Sequence, residues 1–445
     1  MGAVQLEAIR GCLEGWIPAV IATASADGTP NVTYVSQMQY VDPRHVALSF
    51  QFFNKTRENI LANARCAGLV IDPVSAESFR VEMLYLRTET EGALFQHMKA
   101  KLAGIASHSG MTGVFKLQGA DVYRVLGVER IPGPALPRPP ARVNLLHAMR
   151  SASARIAACT DLDGAVDAAL EALGSDFAID HAMLLFAEEA CGRLYTVASR
   201  GYAVSGVGSE IAFGDGVIGV AAQYRTPIRI NHMTMEYSYG RAALDGVSTP
   251  AWPLETQIPF PGLPEPHSQL AVPVLAHGRL LGVLCVESPH DLHFSYDDED
   301  ALVALATQLG SAIHALQQQA LAESATAGQP AAVTPAPLGQ PLEVRHYGAN
   351  NSVFVGGDYL IKGVAGAILW CLLQTRAKTG REDFSNRELR VSPELRLPDI
   401  CDNLEARLIL LQRRLDERNA GIRMRKTGRG LFRLEVALPL TLIEL

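Results

Sequence analysis

Three runs near the start of the chain alternate apolar and polar residues, Ala19–Ala24, residues 31–40 and His45–Phe50. A period of two is the pattern of strands that turn one face to a core. The first two runs flank Ala26-Asp-Gly-Thr-Pro30, which reads as a turn. The third leads into Asn54-Lys-Thr56, and residues 58–64 then read as a short helix. Residues 92–106 have helical character; His97 and Lys99 within them, and His108 just beyond, read as surface positions. Further along, residues 143–158 and 161–173 have helical spacing, with Thr160 or Asp161 as N-cap. Strand-like runs cover 182–187 and 194–199, and Phe213-Gly-Asp-Gly-Val-Ile-Gly219 opens a short helix before a run at 226–230. Strands at 269–275 and 280–287 meet at the hairpin turn Ala276-His-Gly-Arg279. Phe294-Ser-Tyr-Asp-Asp-Glu-Asp300 starts a helix running to Leu316, its carboxylates placed at the positive end.

The last quarter predicts a hairpin of residues 352–355 and 358–361 across Gly356-Gly357, then a helix over 364–377. A short helix at 384–390 has Ser385 as N-cap and Glu388 at the third position, a capping box. A third helix, 404–418, puts Arg407, Arg413, Arg414 and Arg418 on faces opposite Leu404, Leu408, Leu411 and Leu415. Residues 422–436 close the chain with a basic, glycine-tipped hairpin.

The corner at residues 49–59 gathers an amide, an ammonium, a hydroxyl and a helix N-terminus, the groups a phosphate monoester needs. Gly15-Trp-Ile-Pro-Ala-Val-Ile-Ala-Thr23, Asp27-Gly-Thr-Pro-Asn31 and the Asn54-Lys-Thr, Asn59, Asn63 string resemble the FMN-binding split barrel of the pyridoxamine-phosphate-oxidase-like superfamily. The resemblance covers residues 1–132. It implies that Asn54, Lys55, Thr56 and Asn59 hold the flavin phosphate or support the corner. It also implies that Ser36, Gln37, Met38, Ser49 and Gln51 border the isoalloxazine. A solvated charged turn at Lys55 and Arg57 is the plainer alternative. Nothing after Gln118 resembles the Arg/His-rich segment with which a true pyridoxamine-phosphate oxidase grips its substrate. Some members of the superfamily bind haem or a deazaflavin instead, and the corner leaves both open.

At 445 residues the chain predicts three domains. With 48% hydrophobic and 19% charged residues it has the composition of a soluble globular protein. No signal-peptide pattern and no long uncharged apolar run is present, which argues for a cytoplasmic protein. The seven cysteines are scattered without paired spacing and read as reduced thiols rather than a metal or disulfide framework. Charge divides unevenly: residues 342–436 hold 17 Lys+Arg against 12 Asp+Glu, leaving 22 against 34 elsewhere. A basic module on an acidic body predicts an anionic partner for that module alone.

Two linkers, the proline-rich residues 131–140 and the Ala/Pro/Thr/Gly-rich residues 322–341, isolate the middle block. Its order of helix pair, strands, glycine turn, hairpin and closing helix resembles a GAF domain over residues 143–318. The resemblance implies a small-ligand pocket above the sheet. Residues 233–266, with Tyr237, Tyr239, Trp252 and Phe260, form an insertion that reads either as a lid or as a surface loop.

Residues 342–445 resemble the winged-helix domain of response-regulator transcription factors, most closely at Thr427-Gly-Arg-Gly-Leu-Phe-Arg-Leu434. That likeness implies a recognition helix contacting DNA through Arg407, Arg413 and Arg414, and a wing acting through Arg425, Lys426 and Arg429. Asp399, Asp402 and Glu405, close to the helix start, would repel phosphate, and such modules also serve as protein-binding or dimerisation domains. The predicted architecture is multidomain α+β: an N-terminal split β-barrel, a central GAF α/β sandwich and a C-terminal winged helix. The function it implies is a homodimeric one-component regulator sensing FMN or a GAF ligand. The alternative is a flavin-dependent oxidoreductase with regulatory C-terminal domains.

Overall fold

The computed structural model describes residues 4–14, 17–35, 38–50, 55–108, 116–231, 258–324, 341–392, 395, 404–419, 421–428 and 430–445. Ser36, Gln37, Gln51, Asn54 and Arg429 therefore lie outside the described residues, as do positions 233–257 of the insertion.

The N-terminal strands are β1 (Ala19–Ala24), β2 (Pro30–Val35), β3 (Met38–Asp42), β4 (His45–Phe50), β5 (Arg65–Ile71), β6 (Ser78–Glu89) and β7 (Gly119–Ile131). They form one antiparallel sheet in the order β2-β1-β5-β6-β7-β4-β3. The run predicted over residues 31–40 is divided: its two halves, β2 and β3, sit at opposite edges of the sheet. Bulges in the long β6–β7 ladder bend the sheet. Its inner face buries Ile21, Met38, Val46, Val81, Met83 and Tyr123, with a 3₁₀ helix, Leu6–Leu13, packed against them. Helix α1 (Lys55–Ala62) follows β4, and α2 (Ala93–His108) connects β6 to β7.

The middle sheet is β8 (His181–Glu188), β9 (Arg193–Arg200), β10 (Glu210–Ala212), β11 (Ile228–Ile230), β12 (Ser268–Ala276) and β13 (Arg279–Ser288), ordered β10-β9-β8-β13-β12-β11. Successive side chains of β8 point to opposite layers, and both layers are apolar. Leu184 and Phe186 meet α3 (Leu145–Ala157), α4 (Leu162–Ser175) and α6 (Tyr296–Ser324). Met183 and Leu185 meet α5 (Gly216–Tyr224) and, beyond it, Ala100 of α2. The N-terminal domain thus supplies part of the cover for the second sheet. Gly219, third glycine of the predicted turn, is required by close packing, since a Cβ there would lie 2.3 Å from the Ala212 carbonyl oxygen. The β12–β13 turn has His277 and Gly278 both at positive φ, the conformation a two-residue hairpin demands.

The C-terminal module has two sheets. β14 (Leu342–Tyr347), β15 (Ser352–Val355), β16 (Asp358–Ile361) and β20 (Leu440–Glu444) form one, ordered β16-β15-β14-β20, with β20 parallel to β14. β17 (Asp383–Ser385), β18 (Ile422–Gly428) and β19 (Leu431–Val436) form the other, ordered β17-β19-β18. Helices α7 (Gly363–Thr379), α8 (Asn386–Val391) and α9 (Leu404–Arg418) complete it, and α8 carries the predicted Ser385–Glu388 capping box. The apolar core of this module is continuous with the α3/α4/α6 layer of the middle domain. Among the described residues no helix is long and apolar enough to cross a membrane.

Candidate functional site

At the β4–α1 corner, Lys55 opens an eight-residue helix and its side chain is about half exposed. The Lys55 ammonium donates to Glu58 Oε2 at 3.3 Å. Arg57 does not share that exposure. Its guanidinium pairs with the buried Asp121 of β7 and donates to Thr88 of β6 at 3.1 Å, which clamps α1 to the sheet. Thr56 and Asn59 are also turned inward: Asn31 Nδ2 donates to Thr56 Oγ1 at 3.0 Å, and Asn59 Nδ2 donates to Thr23 Oγ1 at 3.1 Å. These contacts tie the corner to β1 and β2 from within. Asn59 Oδ1 is buried without a hydrogen-bond partner among the described residues.

The donor set fits a phosphate monoester. An exposed ammonium stands at the first turn of a helix whose amide groups there have no intrahelical acceptor. Of the residues expected beside a flavin ring, Met38 is fully buried in the sheet core and Ser49 is half-buried opposite Ala120. The solvated-turn alternative fails for Arg57, because Asp121 and Thr88 bury it. It fits Lys55 better.

A second cluster went unread in the sequence. It lies where α2 and the 3₁₀ helix meet the middle domain. Arg229 of β11 is nearly inaccessible; it donates to Glu14 Oε2 at 2.7 Å, to Glu299 Oε2 at 2.7 Å and to the Phe294 carbonyl at 3.1 Å. Its guanidinium lies 4.3 Å from the centre of the Tyr296 ring. Lys101 of α2 is buried beside them and donates to Gln39 Oε1 at 3.2 Å. Burial pulls the Lys101 ammonium down, with Glu299 opposing. Burial pushes Glu299 up, but Arg229 and then Lys101 outweigh it and hold the carboxyl below its ordinary value. His97 is not a surface residue. Its Nδ1 lies 2.7 Å from Thr226 Oγ1, and burial, followed by Lys101, lowers it to about 4. No local pattern reports this cluster, because its groups come from far along the chain: Glu14 lies 215 positions before Arg229.

Most of the basic residues expected to meet DNA are held by other parts of the chain. The helical spacing puts Arg407, Arg413 and Arg414 on faces opposite the leucines, but α9 packs on both its sides and all three are engaged. Arg407 donates to Glu188 at 2.9 Å, and Arg413 bridges Asp163 and Asp167, each at 2.6 Å. Arg414 donates to the Leu360 carbonyl and to Glu417. Glu405 pairs with Arg390 at 2.8 Å. On the hairpin, Lys426 donates to Asp161 at 2.7 Å, and that hydrogen bond holds the Asp161 carboxyl below its ordinary value. Asp161 also caps α4 by accepting from the Gly164 amide. Arg425 remains exposed.

The GAF domain family model matches residues 161–313, and that of pyridoxamine 5'-phosphate oxidase matches residues 6–125. No curated protein matches the chain significantly. Among solved structures, the GAF domain of a phosphoenolpyruvate-protein phosphotransferase from Coxiella burnetii is 22% identical, with 40% of this chain and 97% of that chain covered and a TM-score of 0.33. Free methionine-R-sulfoxide reductase from Neisseria meningitidis is 19% identical over 39% of this chain and 91% of its own, with a TM-score of 0.30. An FMN-binding protein from Syntrophomonas wolfei is 17% identical over 29% of this chain and 86% of its own, with a TM-score of 0.25. The family matches leave the C-terminal module unassigned. The chain joins a pyridoxamine 5'-phosphate oxidase-like N-terminal domain to a GAF domain.

Proposed function

We propose that this chain is a cytoplasmic ligand-sensing regulator in which an FMN-binding N-terminal domain and a ligand-binding GAF domain control a DNA-binding winged helix at the C-terminus. The observation that carries this reading is the placement of Arg413 and Lys426 on Asp161, Asp163 and Asp167, all at the start of one GAF helix. Cations expected to meet nucleic-acid phosphate are held by carboxylates of the sensing domain, so a change in that domain can reach them. These partly exposed pairs contribute only about 0.2–1 kcal/mol each. The apolar seam under them, with Leu408 and Ile409 of α9, contributes more, about 1.5–3 kcal/mol per buried side chain. The ion pairs therefore set orientation and the apolar contacts supply cohesion. While α9 is docked, Arg423 and Arg425 on the hairpin keep an exposed basic edge.

FMN, when bound, would supply reversible electron transfer. Lys55 and the first-turn amides of α1 would hold its phosphate, with Thr56 and Asn59 fixing the corner from within. A homodimer would cover the exposed Val32 and Tyr34 of edge strand β2 and the neighbouring Leu61 of α1. One observation favours the oxidoreductase alternative: the docked arrangement presents none of the three α9 arginines to a duplex. Anisotropy on duplex DNA at several salt concentrations, run beside NAD(P)H-dependent flavin reduction, separates the two. Salt-dependent binding supports the regulator. No association with any duplex, together with flavin turnover, would replace it with the enzyme.

A further inference from the structure

Between the GAF domain and the C-terminal module lies a partly open cleft of about 330 Å³. Its walls come from both sides: the start of α4, the far end of α6, one face of α9 and the β18–β19 hairpin. We infer that this seam cleft is a binding site for a small, neutral, mainly apolar molecule with a hydrogen-bonding edge. The inference is independent of the flavin and DNA readings, since it uses neither the β4–α1 corner nor a free basic face.

Three features define the occupant. The volume is at the lower end for small-molecule sites. The lining is apolar in depth, with Leu162, Leu408, Ile409, Met424 and Phe432 each buried. The charged groups at the rim are already paired within the protein, Lys426 with Asp161, Asp163 with Arg413 and Glu405 with Arg390. An ionic ligand would have to break one of those pairs, whereas a neutral one meets the carboxamide of Gln412 at the edge. Because the two walls belong to different modules, the molecule binds the docked arrangement and not the separated one. Occupancy therefore shifts the equilibrium toward the docked arrangement by a factor of one plus ligand concentration over Kd.

The test uses the full chain and N-phenyl-1-naphthylamine, a neutral probe that fluoresces in apolar surroundings. Wild type should bind it saturably. Gln412→Trp on the half-buried rim and Leu431→Trp on the hairpin should each weaken binding at least tenfold by filling the cleft, with circular dichroism unchanged. Asp163→Lys, which repels Arg413 and loosens the seam, should weaken it as well. No saturable binding by wild type overturns the inference. So does unchanged affinity in whichever tryptophan variants keep the native spectrum, because the probe would then sit elsewhere. Unchanged affinity in Asp163→Lys would overturn the coupling to docking.

Discussion

Replacing Arg229 by Met removes one cation from the buried junction between the N-terminal and GAF domains. The side chain is of similar length, so packing over Tyr296 is largely kept and the loss is electrostatic. What remains is Glu14 and Glu299 facing one vacated position, with the buried Lys101 as the next cation acting on Glu299. Breaking a buried pair by deleting one partner costs about 3–5 kcal/mol, because the surviving charge stays desolvated. At about 2–4 °C per kcal/mol for a unit of 150–250 residues, the thermal midpoint should fall by roughly 6–20 °C. The pH dependence carries the sharper signature. In wild type Glu299 sits below its ordinary 4.5, so its contribution is present above that pH and is lost as pH falls below it. Without Arg229, burial, the largest influence on Glu299, should outweigh Lys101 and raise the carboxyl above its unfolded value. The mutant's deficit is then full at pH 7 and shrinks as the carboxyl takes up a proton on acidification. Urea unfolding of both proteins at pH 7.5, 6.5 and 5.5 measures this. A deficit under about 1 kcal/mol, or one that does not change with pH, would refute the account of a desolvated ion network.

Lys55→Ala should weaken FMN binding by about 1.5–3 kcal/mol in calorimetry, the worth of a charge-assisted contact, and a wild-type protein that ignores added FMN would sink the corner assignment. Adding Thr56→Ala should bring the loss to about 2–4 kcal/mol and also lower the thermal midpoint slightly, since the Thr56 hydroxyl accepts from Asn31. His97 is lowered to about 4 in the fold against 6.5 unfolded, so the unfolded chain binds more protons between those values and stability should fall as pH drops from 6.5 to 4. His97→Gln keeps an amide for Thr226 and should flatten that acid limb in denaturation curves, with Lys101 and Glu299 left as the facing charged groups. Asp163→Lys with Asp167→Lys should free Arg413 and raise affinity for duplex DNA with a steeper salt slope in anisotropy; an unchanged slope would remove the GAF carboxylates as a brake on α9.

Local periodicity and local chemistry carried most of the elements. β1, β15, β16 and α9 begin and end where the alternation or the helical spacing does, and the Ser385–Glu388 box and the His277-Gly278 turn form from residues at most three apart. Their determinants are short-range, so a single sequence reports them. β20 was not legible, because it is a short strand whose partner β14 lies almost a hundred residues away. Nor did any pattern show that residues 31–40 would divide between opposite edges of a sheet. The charged residues were legible as types and not as roles. Arg57, Lys101, Arg229, Arg407 and Arg413 look alike along the chain, yet each is defined by a carboxylate, amide or carbonyl brought to it from elsewhere. Whether such a cation faces solvent or a buried partner depends on how domains pack, and only the tertiary structure decides that. The sequence by itself determined that two domains of known type and a basic module follow one another; their seams decided which charges are left to act.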